Sequence, residues 1–228
     1  MKFYISNTEL DAQIAEIRLT IRLSMNGIVS DQMTNNGIKY KKNYGVSIPR
    51  IKEIAKKYTP NHDLAQRLWS LQIRETMILA TLLEPADKFS TELALQWAES
   101  FNQIEIIEQT CMNLFSKLTF ATTLATDLIQ MENLWKQITG YTLAARSFDK
   151  FNASETTEIV RKAIQSSDTD ELHLYKSIAL CLSRLCRKDT QVATYILKEL
   201  NSFSNGSSIG QRYIFNEVKQ EVLFLDIL

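Results

Sequence analysis

Apolar residues recur at helical spacing along almost the whole chain. Leu10, Ile14, Ile17 and Ile21 share one face of a first helix, and Ile51, Ile54, Ala55 and Tyr58 share one after Pro49, a residue suited to a helix's first turn. The same periodicity predicts helices from about Asp63 to Trp69, Arg74 to Leu83, Thr91 to Phe101, Glu105 to Leu118, Thr122 to Gln130 and Glu132 to Phe148. It continues from Ser154 to Gln165, Asp170 to Cys186, Thr190 to Leu200 and Ile209 to Leu225. Short polar stretches such as "TPNHD", "QSSDTD" and "NSFSNGSS" separate them and often end in a residue able to cap the next helix.

Helices of this length joined by such loops form antiparallel pairs. No strict repeat is legible, because Trp69, Trp97 and Trp135 are unevenly spaced and no tetratricopeptide or ankyrin consensus appears. Degenerate pairs of the HEAT type fit best, since that class needs only an apolar face on each helix. The expectation is an all-α, HEAT-like helical-repeat solenoid, curved with a concave face, built as a single domain over residues 1–228.

Composition agrees. With 45% hydrophobic residues, six Gly and three Pro in 228 residues, helix formers dominate and strand punctuation is missing. No apolar run approaches the roughly 18 residues of a membrane span, and Met1-Lys2-Phe3-Tyr4 leads into a charged helix rather than a signal peptide. Cys111, Cys181 and Cys186 each lie in an apolar run, which predicts buried thiols in a reducing cytoplasm.

The formal net charge is zero, but the charge is sorted. From Gly37 to Lys57, seven bases (Lys39, Lys41, Lys42, Arg50, Lys52, Lys56, Lys57) oppose Glu53 alone, a net of +6. From Glu84 to Glu108 the net is −5. Cations delivered by a loop and the adjoining helix can track a phosphate backbone without reading sequence, although a solvated lysine-rich helix face has the same appearance.

Other chemistries have little support. His62 and His173 are far apart, with no Cys or carboxylate at ligand spacing on the same helix face, so no metal site is expected. No glycine-rich phosphate loop is present, so no nucleotide cofactor is expected. Trp69, Trp97 and Trp135 each fall on an apolar helical face and read as core.

The stretch "YGVSIPRIKEIAKKY", followed by "LAQRLWSLQIRETMILATLL" and "LALQWAESFNQIEIIEQTCMNLF", resembles the DNA alkylation repair family of HEAT-like proteins over most of the first 120 residues. Later, "YKSIALCLSRL" is similar to one of the family's C-terminal helices. The resemblance implies a C-shaped solenoid whose concave, basic face holds duplex DNA, with no cofactor. It also implies excision of N3- and N7-alkylated purines in active members, where a carboxylate stabilises an oxocarbenium-like sugar and Trp side chains frame the lesion.

By the same resemblance, Glu108 stands at the catalytic carboxylate, Glu105 at a preceding acid, and Ile104 and Leu180 at the two functional Trp positions. Ile138 and Thr139 stand near the family's functional Arg, with Arg146 two turns on. The expectation is therefore a divergent member that binds duplex DNA through Lys41, Lys42, Arg50 and Lys52, assisted by Arg184, Arg187 and Lys188, with glycosylase activity reduced or absent. An active glycosylase using Glu108 and a protein-binding scaffold are the alternatives.

Overall fold

The computed structural model describes residues 7–226, so the Met1-Lys2-Phe3-Tyr4 opening lies outside the described residues. Every regular element is helical, and two compact units divide at Leu93 and Ala94.

The first unit contains α1 (Thr8–Leu23), α2 (Gly27–Asn35), α3 (Ile48–Ala55), α4 (His62–Ser70) and α5 (Arg74–Leu83), and α6 (Thr91–Glu99) begins at its end. α1 buries Leu10, Ile17 and Ile21, and α3 buries Ile51, Ile54 and Ala55. Helix α2 is the element that periodicity does not predict. It buries no residue, so no apolar face announces it; its signal is the Asn26 cap, which accepts from Val29 N–H. Asparagine caps recur at Asn7, Asn61, Asn133 and Asn152.

Between α2 and α3 the chain makes an irregular turn that is fixed from two sides. Gly45 has φ +68° and lies against the start of α2, where a Cβ would fall 2.1 Å from the Asn26 carbonyl oxygen. On the other side, the fully buried carboxylate of Glu75 on α5 accepts from the backbone N–H groups of Tyr44 and Val46, each at 3.2 Å. Arg74 Nη1 donates to Glu75 Oε1 at 3.0 Å and to the Val46 carbonyl at 2.8 Å, while its backbone N–H donates to the Lys42 carbonyl. A buried charge is stable only when its hydrogen-bonding sites are filled, and this turn fills them.

The second unit contains the remainder of α6, then α7 (Ile104–Asn113), α8 (Ala121–Gln130), α9 (Leu134–Arg146), α10 (Ala153–Gln165), α11 (Leu172–Cys186), α12 (Thr190–Leu200) and α13 (Ile209–Phe224). The helix expected over 105–118 stops at Asn113, and a 3₁₀ turn at Phe115–Lys117 follows. The break turns Leu114, Phe115 and Leu118 into the core together.

Two layers result. In one, α9 packs between α7 and α11, and α11 packs on α13; in the other, α10 touches α8 and α12. α9 and α11 run in the same direction: Trp135 meets His173 near their N-termini, and Arg146 shares a hollow with Arg184 near their C-termini. α11 and α13 are likewise parallel, joined by Tyr175 with Tyr213 at one end and by Arg187 with Glu221 at the other. Close approach of α8 to α9 depends on Gly140, where a Cβ would lie 2.7 Å from Ile129 N and 2.9 Å from the Ala125 carbonyl oxygen. Among the described residues no helix is long and apolar enough to cross a membrane.

Two substitutions test these supports. Glu75→Ala leaves the buried Arg74 guanidinium without its carboxylate and should cost about 3–5 kcal/mol, read from the urea midpoint. Gly140→Ala presses a methyl onto backbone atoms that a side-chain rotation cannot relieve, and should cost about 1–3 kcal/mol by the same measurement.

Candidate nucleic-acid interface

In the first unit, the anchored turn presents its lysines to solvent. Lys41 and Lys42 are exposed, with Lys42 Nζ 4.9 Å from the Tyr44 ring centroid, and Lys52 is exposed on α3. Arg50 is more constrained: Nη1 donates to Glu53 Oε2 at 2.8 Å and Nε to Ser24 Oγ at 3.2 Å. The Glu53 pair is solvent-exposed on both sides, where such pairs contribute little. A phosphate can therefore compete for the guanidinium.

The second unit brings together residues that are far apart in sequence. Glu108 and Ile104 from α7, Thr142 from α9, and His173, Lys176 and Leu180 from α11 line one hollow of about 290 Å³. The two positions where the family resemblance places aromatic residues, Ile104 and Leu180, thus share a hollow with the carboxylate. Leu180 is 41% exposed, unusual for a leucine in the middle of a helix whose other face is core.

Glu108 keeps some exposed surface, yet the walls of the hollow hold its carboxyl above the usual carboxylate range by desolvation. Arg146 opposes that shift most strongly and His173 less so, while Glu105 adds to it. Arg146 is the residue that sequence distance underrates. It lies seven positions beyond Thr139, two turns along the same helix face, and its charge reaches Glu108. Ile138 and Thr139 themselves are fully buried and face no site.

The aromatic residues divide. Trp69 and Trp97 are core, as their spacing predicts. Trp135 is not: it is half-exposed in the first turn of α9, before that helix becomes buried at Ile138, and its ring lies 6.1 Å from the His173 imidazole. His173 thus meets Trp135 and also lines the hollow of Glu108. His62, at the start of α4, is elsewhere, with Nδ1 2.6 Å from the buried Glu84 carboxylate. Burial holds Glu84 above the usual carboxylate range despite that contact.

Along α11, His173, Lys176, Leu180, Arg184 and Arg187 follow one another at three- and four-residue spacing on one face. Arg184 faces a second hollow of about 330 Å³ with Arg146, Met112 and Leu180. Arg187 pairs with Glu221. Lys188 has a structural partner set, donating to the carbonyl oxygens of Phe148 at 3.3 Å and Phe151 at 2.5 Å. Lys176, which charge counting along the sequence passes over, belongs to the face as fully as Arg184.

Cys111, Cys181 and Cys186 are free and buried, and desolvation raises all three thiols, that of Cys186 to about 12. Among the described residues no three His, Cys, Asp or Glu side chains converge as a metal site.

The likenesses to known proteins fall on this same arrangement. The sequence model of the DNA alkylation repair enzyme family matches residues 25–207, a span that includes both the basic turn and the hollow around Glu108. No curated protein matches the sequence. A solved structure, described as a new family of proteins related to the HEAT-like repeat DNA glycosylases with affinity for branched DNA structures, has a TM-score of 0.76 at 13% identity. That match covers 90% of this chain and 94% of the other. At such low identity it speaks for the fold, which is the HEAT-like helical-repeat solenoid of all-α class. The extent of the family match, together with that fold, establishes that the chain belongs to the DNA alkylation repair enzyme family.

Proposed function

We propose that this protein binds duplex DNA, without sequence preference, and that its glycosylase activity is reduced or absent. The observation that carries the reading is the face of α11, where Lys176 and Arg184 flank an exposed Leu180 beside the Glu108 hollow. Cations spaced along one helix face can follow successive phosphates. Lys41, Lys42, Arg50 and Lys52 supply a separate set of cations in the first unit. The affinity of the structural relative for branched DNA makes junctions and flaps natural ligands for this chain as well.

The loss of activity follows from what surrounds Glu108. Ile104 and Leu180 offer no aromatic face, and a carboxylate that desolvation pushes toward its neutral form gives less anionic charge to a developing cation. A second reading, an active alkylpurine glycosylase using Glu108 with Glu105 behind it, is favoured by one fact: the carboxylate opens onto the hollow rather than into the core. Binding of a protein partner instead would require a face dominated by apolar or acidic groups, and the α11 face is cationic. The buried free thiols fit a reducing, cytoplasmic setting.

Titration of labelled duplex DNA over a series of salt concentrations tests the binding. Lys176→Ala, Arg184→Ala and Arg50→Ala should each weaken binding to every sequence and lower the salt slope by about one. Unchanged affinity and slope in all three would overturn the assignment.

Release of 7-methylguanine from methylated duplex tests the chemistry. Release at the spontaneous rate is expected. Release that Glu108→Gln abolishes would establish the second reading instead. Since that role needs the ionised carboxylate and the folded-state pKa is raised, the activity would be lost below this raised value and would grow as pH climbs through it.

A further inference from the structure

A cleft of about 510 Å³ in the second unit runs between α11 and α13 and shares Lys176 and Leu180 with the Glu108 hollow. Its two walls differ in chemistry. The α11 wall carries Lys176, Arg184 and Arg187. The α13 wall carries two aromatic rings, Tyr213 and Phe224, and the hydrogen-bond acceptors Glu217 and Gln220 between them. All four fall on one face of α13, at three- and four-residue spacing.

Phe224 is 80% exposed, a phenylalanine in the last turn of its helix with most of its ring uncovered. Tyr213 is half-exposed and anchored by packing on Tyr175, with ring centroids 5.0 Å apart. An exposed ring, a braced ring and a row of cations form the composition that holds unpaired nucleotides, whose bases have a free face and whose backbone still carries charge. A base pair inside a duplex has both faces covered and cannot use this surface.

We infer that the α11–α13 cleft is a subsite for an unpaired nucleotide of branched or flapped DNA, with its phosphate on the α11 wall and its base against Phe224. The orientation follows from charge. Glu217 repels phosphate from the α13 wall, while Glu221 is occupied by Arg187. The same acidic wall accepts from an exocyclic amino group, so adenine or cytosine is favoured over thymine, which has none. This inference rests on the DNA-binding reading above and specifies what the second unit adds to it.

The test compares the affinity of the full chain for a blunt duplex with that for the same duplex bearing a short single-stranded flap of dA, and of dT. The dA flap should bind tighter than the duplex. Phe224→Ala should remove that advantage, a loss of about tenfold, with duplex affinity unchanged. Phe224→Trp should restore it. Phe224 contributes little to the core, so these variants leave the fold in place. Glu217→Ala should equalise the dA and dT flaps. Wild-type protein that binds duplex but gains nothing from a flap would overturn the subsite and leave the duplex reading standing. Equal losses on flap and duplex in Phe224→Ala would also overturn it. Tight flap binding sensitive to Phe224, without duplex binding, would support the subsite and refute the duplex reading. Binding to neither would overturn both.

Discussion

The central part of helix α9 is enclosed: from Ile138 to Ala145 every residue is buried, with α7, α8 and α11 packed around it. Such burial requires that one side of the helix come very close to a neighbour, and Gly140 against Ile129 and Ala125 is where this happens. The candidate site around Glu108 depends on the fixed position of this helix. α7 and α11 are each laid against it, so packing brings Glu108 into one hollow with His173 and Lys176. Arg146 emerges at the end of α9 where burial ceases, and therefore reaches the same surface. The site is held by apolar contacts and carries its charges at the rim.

The first unit solves a different problem by different means. Its lysines lie on a turn without regular structure, and such a turn could not hold their position by itself. The Glu75 carboxylate, fully buried, takes the turn's N–H groups as ligands, and Arg74 ties the same segment through its carbonyls. A buried ion pair is a weak source of net stability, because desolvation offsets most of the attraction. Its value here is in position: an irregular backbone acquires one conformation, and Lys41 and Lys42 are carried on it.

How much of this could be read from the sequence depended on whether a residue's role was local. The apolar stripes of α1, α3 and α8 to α13 announce themselves because a helix buries what lies on one face. α2 does not, since it buries nothing. The pair Arg74 and Glu75 reads as the solvated first turn of a helix; nothing in "IRETM" says that both charges are inside. Trp135 carries the apolar signature of core but stands before the buried part of α9. Family likeness points to Glu108, Ile104 and Leu180 and places Arg146 only as an Arg two turns away, whereas Lys176 is recognised in the fold alone, because α7, α9 and α11 meet only in space.

The identity of the residues around Glu108 bears on which activity such a surface can retain. Electrostatic stabilisation of a transition state depends on the carboxylate being charged and on its distance from the reacting atom, so a raised pKa weakens it. Phosphate binding has neither requirement. A lysine or arginine on a flexible stem acts at a range of distances, and its charge persists whatever happens in the hollow. On the proposed reading, Ile104 and Leu180 in place of aromatic side chains weaken the demanding function first and spare the tolerant one. Leu180 also leaves apolar surface between Lys176 and Arg184 on the α11 face. On the proposed reading, changes confined to a few side chains separate a member that only holds DNA from one that excises a base, on a fold that need not move.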